Sequence, residues 1–151
     1  MVKEIYRILR NRFIIICVIL LILVGAIFMN HKINRSILEI ASYSLSMICF
    51  VSAVIFSVCI PIVIRLLTFN DVKTNGTIRK KKYLQFKNIV LLSVFIGSVF
   101  TLYGYYALIY EGLLTVSLLC TLYGIYSLIP SRKTLEIELI EFNVEDYKNR
   151  K

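Results

Sequence analysis

The chain has 151 residues, of which 58% are hydrophobic and 18% charged, with a net charge of +9 and a mean hydropathy of +0.77. This composition excludes an ordinary soluble globular domain, whose apolar share is lower. Four charge-free stretches, 13–29, 40–64, 89–110 and 113–129, take up more than half of the chain. The polar pieces between and after them are too short to bury a core of their own.

The chain begins with a basic segment, 1–12, that is followed directly by the first apolar stretch. Val2, Ile5, Ile8 and Leu9 recur at helical spacing, which predicts an amphipathic helix lying on the inner leaflet before the chain turns into the membrane. No small-residue cleavage site follows Met29. We therefore expect the first stretch to remain in the chain as a membrane span.

All four apolar stretches have lengths that fit a lipid bilayer, because a hydrocarbon core about 30 Å thick takes about 17–25 helical residues. All but two of the 18 basic residues, Lys32 and Arg35, fall on one side of these spans. Cationic loops stay in the cytoplasm. The sequence thus predicts an all-α integral membrane protein of the cell membrane: four transmembrane helices in an antiparallel up-down bundle, with both termini in the cytoplasm.

Small residues recur along one face of the second span at spacings of three and four: Ser42, Ser46, Cys49, Ala53 and Ser57. Helices in lipid associate by close packing, for which small residues are suited. Near the inner end of the same span, Pro61 is expected to kink the helix or to end it early.

The loop 65–88 carries the run Arg79, Lys80, Lys81 and Lys82, for which we predict contact with the anionic lipids of the inner leaflet. Docking of a soluble partner and nucleic-acid binding are weaker interpretations of the same run. The aromatic side chains that follow, Tyr83 and Phe86, are expected to dip into the membrane interface, together with Leu84. The pair Asn75 and Gly76 predicts a tight turn, with a small hairpin as one form of it.

The third and fourth spans are joined by Glu111 and Gly112, which leaves room only for an antiparallel helical hairpin. Residues equidistant from this connection should meet. The predicted helix-packing seam consists of the small residues that fall on the facing sides: Ser93, Gly97, Thr101 and Gly104 on the third span, and Ser117, Thr121 and Gly124 on the fourth. The expected pairs are Gly104 with Ser117, Thr101 with Thr121, and Gly97 with Gly124.

The same hairpin contains an internal similarity: residues 101–110 and 121–130 are identical at seven of ten positions. Inverted repeats build midplane sites in many transporters, whereas helix packing alone also accounts for the similarity. If a ligand site exists, the deeper tyrosines Tyr103, Tyr123 and Tyr126 are its candidate lining, because a phenol within a membrane needs a hydrogen-bond partner.

The chain ends in a tail, 131–151, after the transmembrane domain 13–130. Leu135, Ile137 and Leu139 alternate with glutamates before the phase shifts, so the tail is either a short strand or an amphipathic helix. With nothing of its own to pack on, its apolar stripe is a candidate contact for a partner or for the membrane interface.

The sequence has no nucleophile elbow, phosphate loop, zinc signature or pair of carboxylates, so we expect no enzyme, no metal and no cofactor. The function expected is that of an interaction protein: an accessory subunit, or a toxin-neutralising membrane protein. The chain is similar in helix count and in its cytoplasmic termini to the four-helix immunity proteins against pore-forming bacteriocins, although no motif carries this likeness. The alternative is a small oligomeric transporter or channel for a lipid-like or small solute. We expect a membrane-protein partner or a homo-oligomer, and no nucleic acid.

Overall fold

The structure is a computed structural model that describes residues 2–34, 43–107 and 111–144. The all-α prediction is confirmed in those ranges, where the one β-type contact is an isolated bridge between Ile78 and Val144. The helices are α1 (Val2–Asn34), α2 (Tyr43–Val54), α3 (Ile60–Asn75), α4 (Lys80–Tyr106), α5 (Glu111–Ser127) and α6 (Arg132–Glu141), and a π-helical turn (Ile55–Cys59) joins α2 to α3. Ser42, residues 108–110 of the internal similarity and the tail beyond Val144 lie outside the described residues.

Three helical units are long and apolar enough to cross a membrane: α1, the continuous helix from α2 to α3, and α4. Helices α5 and α6 are bent by 80° at the break between them. If the two count as one span, the number of spans is four. These helices carry apolar side chains on nearly every side, which is typical of a helix surrounded by lipid or by other apolar helices. The chain is therefore built like a multi-pass membrane protein.

Pro61 does not end the second helix, which continues to Asn75. Proline has no N–H for the carbonyl four residues earlier, and its ring clashes with that carbonyl in a regular α-helix. The helix widens into the π-helical turn directly before Pro61, where the N–H of Ile60 donates to the carbonyl of Ile55. The wider turn relieves the clash and lets the helix go on.

The packed interior is formed by three units: α2 with its π-helical turn, α4 and α5, each of which contacts the other two. Helix α1 packs on the outside of this group, against α4 and α6. It runs parallel to α4 in a fixed register, since Glu4 pairs with Lys80 and Arg12 donates to Asn88, both 76 residues further along the chain. The sequence segment 1–12 was expected to turn before the first span, but from Val2 onwards it is the first part of the uninterrupted helix α1.

The expected loop 65–88 is mostly helical, because α3 and α4 extend into it from both sides. Only the four residues 76–79 separate the two helices, and Gly76 adopts a φ of 77° that suits glycine. The turn predicted at Asn75 and Gly76 is thus present, but it joins helices. We call the described residues of 2–12, 65–88 and 131–144, which hold most of the basic side chains, the basic end.

Candidate functional site

All seven residues of the predicted seam are buried, four of them on α4 and three on α5. The hydroxyl oxygens of Thr101 and Thr121 lie 2.8 Å apart, so one of them donates to the other. The Ser57 hydroxyl lies 3.4 Å from that of Thr121. The side chains that share these contacts come from three different helical units, and they satisfy one another in the middle of the bundle.

The pair Gly97 and Gly124 differs from the expectation, because Ser57 of the π-helical turn is the nearest neighbour of both. A Cβ atom on Gly97 would lie 2.2 Å from the Ser57 hydroxyl, 3.0 Å from its backbone nitrogen and 3.1 Å from the Ala53 carbonyl oxygen. A Cβ atom on Gly124 would lie 2.9 Å from the Ser57 carbonyl oxygen. The predicted seam between two helices is therefore a junction of three, closed by backbone contact.

The three candidate ligand-lining tyrosines are exposed on the protein surface: Tyr103 by 48%, Tyr123 by 61% and Tyr126 by 74%. Of the three, Tyr123 lines one of the described cavities, at the basic end. The helices thus turn these phenols away from the bundle interior, and the described structure does not bring them around one site.

The basic run is divided between ion pairs and solvent. Lys80 lies 2.9 Å from the Glu4 carboxylate, and Lys82 pairs with Asp71 across the α3–α4 turn. Arg79 and Lys81 are exposed. The four cations therefore do not form one free patch.

The aromatic residues after the run lie in a small core of the basic end. Tyr83 and Phe86 are buried against Phe142, with ring centroids 6.1 and 5.5 Å from it. They were expected in the membrane interface, but the helical extension of α4 turns them towards α6. The complete core also takes residues from α1, α3 and the tail: Ile5, Val72, Ile78, Tyr83, Phe86, Val90, Leu135, Leu139, Phe142 and Val144.

The tail therefore has its own packing partner, contrary to the expectation of a stripe left for another protein. Helix α6 buries Leu135 and Leu139 in the core of the basic end. After α6, Asn143 adopts a φ of 43° and holds the α3–α4 turn from two sides. Its side-chain amide donates to the Gly76 carbonyl, and its own carbonyl accepts a bond of 3.4 Å from the N–H of Ile78.

Glu138 of α6 is the centre of a polar cluster at the edge of this core. One of its carboxylate oxygens accepts a hydrogen bond of 2.8 Å from the Tyr83 hydroxyl and lies 2.5 Å from the Lys87 ammonium. The side chains of Lys87 and Glu138 are 19% and 12% exposed. Lys87 also lies 5.6 Å from the centroid of the Phe86 ring. The buried negative charge is thus balanced by one cation and one phenol.

A cavity of about 120 Å³ opens beside this cluster. The cavity lies on the basic-end side of the π-helical turn, between α3 and α5, and helices α4 and α6 form its other walls. Its polar side chains are Ser57, Arg65, Lys87, Tyr123, Ser127 and Glu138, and its apolar ones include Val58, Pro61, Ile62 and Val90. A guanidinium nitrogen of Arg65 lies 3.7 Å from the Glu141 carboxylate at the rim. This cavity is the candidate ligand site of the described structure.

Sequence reasoning missed the cluster of Tyr83, Lys87 and Glu138. Tyr83 and Lys87 are four residues apart and so share a face of α4, a signal that was available only once this segment was known to be helical. The four cysteines are free thiols. The described His, Cys, Asp and Glu side chains form no group of three that could hold a metal ion.

The chain matches no model of a known protein family, no curated protein and no solved structure. Its function has to be inferred from the geometry.

Proposed function

We propose that the chain is a small multi-pass protein of the cell membrane that acts by binding another membrane protein, as an accessory subunit or as a toxin-neutralising protein, and that it is not an enzyme. The observation that carries the proposal is the closed junction at Ser57, Gly97 and Gly124. Backbone contact leaves no room for a substrate at that junction. The apolar outer faces are then the surfaces available for function.

Helix α1 is the outer face that we assign to the partner. One side of its apolar part packs on the bundle, where Leu20 is buried, but the other side is uncovered, with Leu21 70%, Ile22 65% and Phe28 60% exposed. Its polar attachments to α4, through Glu4 and Arg12, lie at the basic end. Because helices in lipid associate by packing and not by leaving water, a helix with one uncovered apolar face is well suited to receive another helix.

The proposed orientation rests on the distribution of charge. The basic end holds 13 of the 18 Lys and Arg residues, and such ends stay in the cytoplasm. Both termini would then be cytoplasmic. The polar cluster of Tyr83, Lys87 and Glu138 is compatible with a structural role, because its members satisfy one another.

The test is purification from native membranes in mild detergent, followed by mass spectrometry of the intact complex. We expect a second protein in fixed stoichiometry. The double variant Leu21→Ala with Ile22→Ala, at side chains 70% and 65% exposed on α1, should lose it. Leu119→Ala, at a side chain 59% exposed on α5, is the matched control and should retain it. A complex that contains only copies of this chain would contradict the proposal.

The second candidate, a small oligomeric transporter or channel, is favoured by one observation: Tyr123 lines the cavity together with Ser57 and Ser127. It predicts solute flux into vesicles that contain the purified protein. Replacement of Tyr103, Tyr123 and Tyr126 together by phenylalanine should abolish that flux. If the triple variant transports as the unmodified chain does, the tyrosines have no role in transport and this candidate loses its support.

A further inference from the structure

The cavity lies where the apolar part of the second helix ends. Arg65 is the first charged residue after the charge-free stretch 40–64. On α5, Ser127 stands near the end of the apolar stretch 113–129, and Tyr123 lies one helical turn deeper. In a bilayer these three side chains would thus lie between the phosphate level and the outermost part of the hydrocarbon.

Among the described residues, Arg65 stands at the rim with most of its hydrogen-bonding capacity uncommitted. Its side chain is 59% exposed, and its ionic contact with Glu141, at 3.7 Å, is longer than a hydrogen bond. A guanidinium has five N–H donors in a planar fork that fits two oxygens of a phosphate. The rim therefore offers an anion site, because the Glu141 carboxylate holds Arg65 only weakly.

The interior of the cavity has both polar and apolar walls. The Tyr123 hydroxyl is a donor, whereas the Ser127 hydroxyl already donates to the Gly124 carbonyl at 2.7 Å and Lys87 is paired with Glu138. The apolar wall is formed by Val58 and by Ile62, which is 51% exposed. A soluble phosphate ester would leave this apolar wall uncovered.

We propose that the cavity binds one glycerophospholipid. Its phosphate lies on the Arg65 guanidinium, an ester carbonyl accepts a hydrogen bond from Tyr123, and an acyl chain covers Ile62. Glu141 competes with the phosphate for Arg65 and weakens binding. Along the second helix the cation of Arg65 comes first, and the aliphatic side chains of Ile62 and Val58 follow about one and two helical turns deeper. Phosphate and acyl chain follow one another in the same order in such a lipid. This site is independent of the partner-binding face assigned to α1.

The test measures lipid binding to the full chain in detergent by native mass spectrometry, with phosphatidylglycerol as the probe. We expect one bound lipid per chain. Arg65→Gln should weaken its binding by about ten-fold or more, the factor that the loss of one charge-assisted pair implies. Arg7→Gln, at an exposed arginine of the same end, makes the same change of net charge and should leave the affinity unaltered.

Glu141→Gln should change the affinity in the opposite direction, because it frees Arg65. Glu136→Gln, at an exposed residue of the same helix, is its control. This second pair decides the question if Arg65→Gln does not fold. Diacylglycerol with the same acyl chains should bind far more weakly, as should glycerol 3-phosphate. The proposal is overturned if Arg65→Gln and Arg7→Gln lose equal affinity for the lipid, or if Glu141→Gln and Glu136→Gln gain equal affinity. It is also overturned if diacylglycerol or glycerol 3-phosphate binds as tightly as the phospholipid.

Discussion

Ser57 is the residue on which the interior of the bundle depends most. Its backbone and side chain fill the space left by Gly97 and Gly124, and its hydroxyl extends the pair formed by Thr101 and Thr121. It lies within the π-helical turn that Pro61 requires. One backbone irregularity thus places the atoms that close the junction of three helices.

Replacement of Gly97 by leucine should destabilise the protein, because two of the atoms that meet its Cβ belong to the backbone and cannot turn aside. We expect a loss of about 1–3 kcal/mol, as for other overpacked cores, measured as a lower thermal unfolding midpoint in detergent. Gly25→Leu is the matched control, since nothing lies within 4 Å of a Cβ at Gly25. Equal midpoints for the two variants would show that the junction is not tightly packed.

The small residues that their spacing placed on one face of the third and fourth spans are buried, although α4 also buries Val94 and Ser98, which the spacing did not select. The spacing also predicted the inward face of the second span, where the described members Ser46, Cys49, Ala53 and Ser57 are all buried. It could not predict that Ser57 would lie at both Gly97 and Gly124. Which helix enters a groove depends on the arrangement of whole helices, and spacing within one helix carries no information about that.

The tail shows how tertiary contacts resolve a sequence pattern that fits either a strand or a helix. Its alternation allowed a strand, but the described structure offers one bridge, between Ile78 and Val144, as strand-like pairing. As a helix, the tail places Leu135, Leu139 and Phe142 at intervals of four and three, on the face that covers the core of the basic end. Burial of that face decides in favour of the helix.

Glu138→Gln should loosen α6, because it removes the charge that compensates Lys87 in a mostly buried position. A hydrogen bond to a charged group contributes about 1.5–3 kcal/mol, and we expect a loss of stability in that range. Hydrogen–deuterium exchange should rise across Arg132–Glu141. Glu136→Gln changes an exposed glutamate of the same helix and should leave exchange there as it was. Similar exchange in both variants would mean that the cluster does not hold α6.

The prediction that residues 65–88 form a loop was wrong, because α3 and α4 both extend into this segment. A search for charge-free stretches locates the residues that lipid can surround, whereas helical hydrogen bonding continues for as long as the backbone allows. A search for charge-free stretches passes over Val72, Tyr83 and Phe86, because charged residues lie next to them in the sequence. All three nevertheless pack in the core of the basic end. The turn at Gly76 was foreseen because its signal is local.

The order of the helices along the chain does not decide which helices pack against each other. Helix α1 packs beside α4, parallel to it, although the apolar stretch 40–64 separates their sequences. All four stretches are free of charged residues, and hydrophobicity by itself does not specify which helix packs beside which. The second, third and fourth spans carry the small residues that permit close approach, whereas the described length of α1 offers Gly25 with open space around it.

The charge distribution predicts that the basic end faces the cytoplasm, and labelling of single cysteines tests this for the whole chain. In a background without the four natural cysteines, Lys133→Cys on α6 should react with a membrane-impermeant maleimide in inverted vesicles and stay protected in right-side-out ones. Gly112→Cys, at the start of α5, should show the reverse pattern. Both positions are exposed, so protection would report the membrane and not burial. Because 18 basic residues are distributed so unevenly, a reversed pattern would mean that something other than the positive-inside rule orients this chain.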